Sequence, residues 1–193
     1  MGVRSNPMRS LIVALVLLLA ACASSPPTRF YTLDPVPARV TLPASGLTLQ
    51  VAAVHIPGVL DRQEMVRESS PERLQLSDRN RWGAPLAEMM RRVLAQDLAA
   101  RLPGSTVLPP ETVPPAGTRV LAVDVQRFDA GPSGKIRLEG SWSELAAPSG
   151  KPLLTRHVRL TAPAQAGGYR GQAKAMSLLL GRLADRIASS LAH

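Results

Sequence analysis

Two stretches of the chain repeat apolar residues at helical spacing. In the first, Leu86, Met90, Val93, Leu94 and Leu98 form one stripe, which predicts a helix over residues 85–102. Pro85 suits its first turn, Glu88 faces Arg91 and Arg92, and Pro103-Gly104 stops it. In the second, Met176, Leu179, Leu180, Leu183, Ile187 and Leu191 predict a final helix that follows Gly167-Gly168. Elsewhere the period is two. Residues 47–54 put Leu47, Leu49 and Val51 on one face and Thr48 and Gln50 on the other, as in a half-buried strand. Residues 64–69 and 73–77 alternate with charges around Ser70-Pro71, the pattern of short strands at a sheet margin. Residues 119–128, 135–145 and 153–161 read as an antiparallel meander. Its turns lie at 129–134 and at Pro148-Ser149-Gly150. Short strands are expected at 29–33 and 106–108.

The order is therefore strands, helix, strands, helix, with one apolar face on each helix. The economical solution is α+β: one mixed, mostly antiparallel sheet with two amphipathic helices packed on it. Strand 47–54, the first helix and strand 106–108 have the arrangement of a crossover between parallel strands.

The amino terminus has a different grammar. Arg4 and Arg9 precede an uncharged run from Leu11 to Leu19, and small residues follow. That is an export signal whose apolar core is too short to span roughly 30 Å of hydrocarbon. The run closes with Leu19-Ala20-Ala21-Cys22, which resembles a bacterial lipobox. The resemblance implies diacylglycerol on the Cys22 sulfur, cleavage after Ala21 and a further acyl chain on the new amino terminus. Ala23 stands where an aspartate would argue for inner-membrane retention, and by resemblance to Gram-negative lipoproteins this favours the outer membrane. The expected organisation is a cleaved signal peptide at 1–21, a lipidated tether at 22–28 rich in serine and proline, and a single α+β periplasmic domain at 29–193.

Composition narrows the function. The chain has one cysteine, so lipidation at Cys22 leaves no disulfide, zinc-thiolate site or thiol nucleophile. The net charge of +9 falls to about +7 once Arg4 and Arg9 leave with the signal. Export, together with two Phe, two Tyr and two Trp, argues against nucleic acid as the partner. In the segment 61–81, Arg62, Arg67, Arg73, Arg79 and Arg81 are balanced by Asp61, Glu64, Glu68, Glu72 and Asp78, a cross-paired surface rather than a basic patch.

The sequence carries no recognisable catalytic or metal-binding pattern. His55, His157 and His193 have no ligand spacing, and there is no nucleophile elbow or phosphate-binding loop. Gly131-Pro132-Ser133-Gly134 is a hairpin turn with no helix behind it. Asp124, in an apolar strand, is expected to face solvent or pair with a neighbour. Trp82, directly before the first helix, either caps the core or joins Arg81 in a partner contact.

Several signatures then line up in order: the lipobox, Arg29-Phe30-Tyr31-Thr32-Leu33, Val54-His55-Ile56-Pro57-Gly58-Val59-Leu60-Asp61-Arg62, Arg81-Trp82-Gly83-Ala84-Pro85-Leu86 and Leu183-Ala184-Asp185-Arg186-Ile187-Ala188. Together they resemble the ABC-type transport auxiliary lipoproteins, the PqiC-type family. The resemblance implies a non-enzymatic lipoprotein without cofactor or metal, anchored in the outer membrane and facing the periplasm. It also implies work with an MCE-domain transporter protein and its permease and ATPase, moving phospholipid or other hydrophobic molecules across the envelope. Ile56, Pro57, Gly58, Arg81 and Trp82 are the segments that would touch such a partner, and a homo-oligomer is compatible. The alternative is a cell-envelope hydrolase or glycan-binding lipoprotein, which would require a deep pocket with clustered, perturbed carboxylates.

Overall fold

In the computed structural model, which describes residues 26–39, 41–43, 46–164 and 167–192, the alternating segments become one sheet. The described elements run β1 (Arg29–Tyr31), β2 (Thr48–His55), β3 (Glu64–Ser70), β4 (Arg73–Trp82), α1 (Leu86–Arg101), β5 (Thr106–Leu108), β6 (Arg119–Ala130), β7 (Lys135–Ala146), β8 (Lys151–Pro163) and α2 (Tyr169–Leu191). The fold is α+β, as the alternation of periods predicts.

The long β6–β7 and β7–β8 ladders are antiparallel and form the meander. The free edge of β6 is shared. Parallel β2 takes its first half, from Arg119 to Asp124, and β3 meets it at Ala130. β5 lies parallel to the outer side of β2, the crossover expected through α1. Beyond β3 come antiparallel β4 and then parallel β1. The charged hairpin β3–β4 thus forms the wing of the sheet.

One face of the sheet is apolar and covered. Val51, Leu121 and Val54, Val123, Trp142 lie in register rows with Phe128, Leu138 and Ala130, Ile136, Ala162, all buried. Both helices lie on it. Met90, Val93, Leu94 and Leu98 of α1 are fully buried, as are Leu179, Leu180, Leu183 and Ile187 of α2, and all belong to one cluster. The opposite face is open to water, a condition antiparallel sheets tolerate. Glycine is required at one place on the meander. A Cβ on Gly140 would stand 2.1 Å from the Asp124 carbonyl oxygen, beside the register shift between Val125 and Arg127.

Three details differ from the sequence pattern. The half-buried reading of β2 gives Gln50 a solvent face, but Gln50 is 2% exposed. Its amide nitrogen donates to the Pro109 and Thr112 carbonyls at 2.7 and 2.8 Å, because the loop after β5 folds back over the strand. The turn expected at 129–134 begins later, with Gly134 donating to Gly131, since Asp129 and Ala130 still pair with β7. Finally, β4 continues to Trp82, where β1 gives it a second neighbour.

Candidate functional site

Cys22, the residue expected to carry lipid, lies outside the described residues. What the structure shows is how the chain that follows it is fastened. Arg29, Phe30 and Tyr31 pair with Asn80, Arg81 and Trp82. The Tyr31 hydroxyl donates to Asn80 Oδ1 at 3.1 Å, and the Gly83 amide donates to the Tyr31 carbonyl at 2.8 Å. Leu33 is fully buried. The strap that follows then lies between the helices. The Asp34 amide donates to Ser177 Oγ of α2 at 3.1 Å, and the Val36 amide donates to Asp97 Oδ1 of α1 at 2.9 Å. A Cβ on Gly181 would approach Val36 Cβ to 3.1 Å and the Arg101 guanidinium to 3.2 Å, so glycine there lets the strap lie close on α2.

Beneath the strap is an ion network at the helix–helix contact. Arg101, 1% exposed, reaches Asp97 Oδ1 at 3.2 Å and Asp185 Oδ1 of α2 at 2.5 Å. It also donates to the Asp97 carbonyl at 3.0 Å and to the Val36 carbonyl at 3.4 Å. Asp97 is fully buried, and among the described residues its Oδ2 has no partner. Burial pushes the Asp97 carboxyl above its ordinary range, and the Val36 amide and Arg101 oppose that shift without cancelling it. The apolar stripe of the first helix does not itself include Asp97 and Arg101. The signal was nonetheless present: both continue the stripe of Met90, Val93, Leu94 and Leu98 at helical spacing, so two charges stand on the face that must be buried.

The segments expected to meet a partner are arranged around the β2–β3 connection. Ile56 is half-buried against the core. Pro57 and Gly58 form a turn in which Leu60 donates to the Pro57 carbonyl at 2.8 Å. Val59 is exposed beside this turn, and Pro57, Val59, Leu60 and Leu74 line a shallow cleft with Arg127. Arg81 is half-exposed, 3.9 Å from Glu64. Trp82 is only 3% exposed and donates its amide to the Gln63 carbonyl at 2.7 Å. The two segments thus meet through residues 60–64 of the connection, and among the described residues no hydrogen bond joins them directly.

The open face holds a row that sequence spacing could not reveal. Strand register sets His55, Asp124, Ser141 and His157 side by side across β2, β6, β7 and β8. The order is wrong for nucleophilic catalysis. A triad places histidine between carboxylate and serine, whereas here serine lies between Asp124 and His157. No hydrogen bond links any two members among the described residues. Asp124 is exposed, as its strand position allowed.

In the other carboxylate cluster both carboxylates are paired with arginines. Glu68 and Asp129 pair with Arg127 and Arg137 at the end of β6. Burial alone would lower the Arg137 pKa, but bonds from Glu68 and Asp129 outweigh it and the pKa is raised. Arg67 stacks on the Tyr169 ring at 3.8 Å and donates to Gln172, whose own amide bonds the Val66 carbonyl, tying β3 to the start of α2. Among the described residues no group of three or more His, Cys, Asp or Glu could hold a metal ion, and no helix is long and apolar enough to cross a membrane.

Three comparisons agree with this geometry. The family model for the ABC-type transport auxiliary lipoprotein component matches residues 31–188. The chain is 27% identical to the intermembrane transport lipoprotein PqiC of Escherichia coli over 186 residues, covering 94% of this chain and 96% of that one. The Shigella flexneri protein of the same name matches equally. Among solved structures, an uncharacterized protein superposes with a TM-score of 0.73 at 22% identity, covering 85% of this chain and 98% of that one. A Xanthomonas campestris protein gives 0.65 at 15% identity, covering 84% and 94%. These two likenesses show the fold.

Proposed function

This chain belongs to the ABC-type transport auxiliary lipoprotein component family, and from that membership we propose that it is a non-enzymatic subunit of an intermembrane transport system, held by lipid on Cys22 to the periplasmic leaflet of the outer membrane. It is a lipoprotein accessory to such a system; the anchor site, the membrane and the partners are the proposal. One observation carries it: the family match across residues 31–188 is preceded in sequence by Leu19-Ala20-Ala21-Cys22 at the end of an export signal.

The partner in this reading is an MCE-domain protein with its permease and ATPase. It meets the surface around Ile56, Pro57, Gly58 and Arg81, with Trp82 as the buried support beneath. The cargo is phospholipid or another hydrophobic molecule. The arginine-paired Glu68 cluster and the misordered row on the open face favour this over hydrolysis.

Two measurements test it. Intact-mass analysis of the native protein is expected to show a chain starting at Cys22 and carrying three acyl chains; an unmodified thiol at that position refutes the anchor. Crosslinking in whole cells followed by purification is expected to recover an MCE-domain protein. Recovery of none, with the lipoprotein itself abundant, refutes the partnership.

A further inference from the structure

Between the β1–strap segment and the first turns of α2 lies an open groove of about 810 Å³. Phe30, Tyr31, Pro35 and Pro37 form one side, and the exposed Arg170 and Lys174 stand on the other. Phe30 is 65% exposed, an unusual position for a phenylalanine in a chain that has only two. Neither Arg170 nor Lys174 has a salt-bridge partner among the described residues. Asp34 also lines the groove, so its cationic excess is one charge, and Arg29 and Arg81 border Phe30 on the strand side.

The position of this surface matters as much as its chemistry. Only seven Cα-to-Cα steps, across the six residues 23–28, separate Cys22 from Arg29. Fully extended, they reach about 25 Å, so a lipid on Cys22 keeps β1 within that distance of the bilayer. An exposed aromatic ring beside unpaired cations, at the end of a short lipid tether, matches the interface of an anionic bilayer. The ring enters the headgroup boundary, and the cations meet phosphates within a Debye length. We infer that this groove is a membrane-contact surface: Phe30 inserts among the headgroups of the leaflet that holds the anchor, and Arg170 and Lys174 bind anionic phospholipid. The inference rests on the proposed acylation of Cys22.

The contact fixes the tilt of the domain. α2 is 23 residues, about 34 Å long, with its amino-terminal turns at the groove. Ser190, near its other end, donates to Glu144, the register partner of Leu154. The β7–β8 hairpin is therefore held at the end of α2 away from the bilayer, where a transport partner would approach.

The test uses the full mature lipoprotein reconstituted into vesicles, either neutral phosphatidylcholine or the same lipid with about one third phosphatidylglycerol. Trp82 and Trp142 are both 3% exposed and give a constant background. Phe30→Trp supplies a reporter in the groove, and Leu153→Trp, at an exposed position on the hairpin, is the control. Quenching by lipids spin-labelled near the headgroup is expected to be about twofold stronger for Phe30→Trp than for the control in anionic vesicles. Adding Arg170→Glu and Lys174→Glu is expected to bring it down to the control value while the protein still floats with the vesicles; Arg170→Lys with Lys174→Arg is expected to preserve it. Equal quenching of reporter and control, or quenching indifferent to charge reversal, overturns the inference and leaves the anchor intact. A protein that floats with neither vesicle overturns the anchor and this inference together.

Discussion

Replacing Arg101 by methionine isolates the network that holds the strap between the helices. The methionine stem fills much of the arginine volume, and the charge is gone. Asp97 is then a fully buried carboxylate with the Val36 amide as its hydrogen-bond donor, while Asp185, whose side chain is 35% exposed, can turn to water. Breaking one side of a buried ion pair costs about 3–5 kcal/mol, because the surviving charge is left without compensation. That is a large share of the roughly 5–15 kcal/mol that holds a domain folded. At about 2–4 °C per kcal/mol for a chain of this size, the melting temperature is expected to fall by about 6–20 °C. The double variant Asp97→Asn/Arg101→Met removes the stranded charge and keeps an acceptor for the Val36 amide. It is expected to lie within about 1–2 kcal/mol of the natural protein, so the two losses are strongly non-additive.

Proton linkage adds a second reading of the same variant. The folded-state pKa of Asp97 lies above its ordinary value, chiefly through burial. Between the unfolded and the folded value, and only there, the folded protein holds a proton that the unfolded chain has released. Stability from this site is full below the unfolded value of 3.8 and is lost as pH rises through the folded value. Without Arg101 the folded pKa rises further, so the cost of Arg101→Met is expected to be smaller in acid than at neutral pH. Urea titrations followed by circular dichroism at several pH values between 4 and 8 measure it. A cost that is independent of pH, or a double variant as unstable as the sum of its parts, would refute the claim that a stranded Asp97 charge is the cause.

Other perturbations act on single features. Gly140→Ala is expected to cost about 3 kcal/mol, read by thermal melting, because the new methyl meets backbone at the Asp124 carbonyl rather than a movable side chain. Gln50→Ala is expected to cost about 1–3 kcal/mol and to make the 109–117 loop the first site cut in limited proteolysis, since the Pro109 and Thr112 carbonyls lose their buried donor. Gly181→Leu is expected to lower the melting temperature by driving the strap off α2, and hydrogen exchange at the Val36 amide should rise with it. Cys22→Ser is expected to leave an unprocessed chain in membrane fractions, visible as a mass increase from the retained signal.

The elements were legible where burial has one side. α1, α2 and the three meander strands each carry a single apolar stripe, and period alone places them within a few residues. Gln50 shows where that logic stops. Its polarity marks a solvent face only if nothing covers the strand, and the covering loop is fixed by contacts some sixty residues away. Register is equally non-local. His55, Asp124, Ser141 and His157 share a row through three ladders, and no spacing along the chain encodes it. The short β1 was visible as a strand-like piece at 29–33, and β4 only in its first half, 73–77; Asn80, Arg81 and Trp82, which pair with β1, carry no apolar alternation and extend the strand because a parallel neighbour satisfies their backbone.

The same non-local contacts explain why a tether attached at one end of the chain can orient the whole domain. A lipidated amino terminus followed by a loose segment would fix only distance. Here the chain after the tether is paired to β4 at Arg29–Tyr31, bonded to α2 through Asp34 and bonded to α1 through Val36, all within eight residues. Any load on the amino terminus therefore divides between the sheet and both helices before it reaches the core. The buried ions beneath the strap give that junction its specificity. Asp97 and Arg101 pair directly within α1, and the Val36 amide and carbonyl add the strap's bonds to that pair, so a chain that docks the strap in another register leaves the buried Asp97 carboxyl without its backbone donor. Replacing the pair with apolar residues would cost little stability, yet it would remove the penalty for misplacement. An apolar double variant, Asp97→Leu/Arg101→Met, is accordingly expected to fold well while showing faster hydrogen exchange at the Asp34 and Val36 amides than the natural protein; slow exchange there would mean that apolar packing of Leu33 and Val36 alone positions the strap.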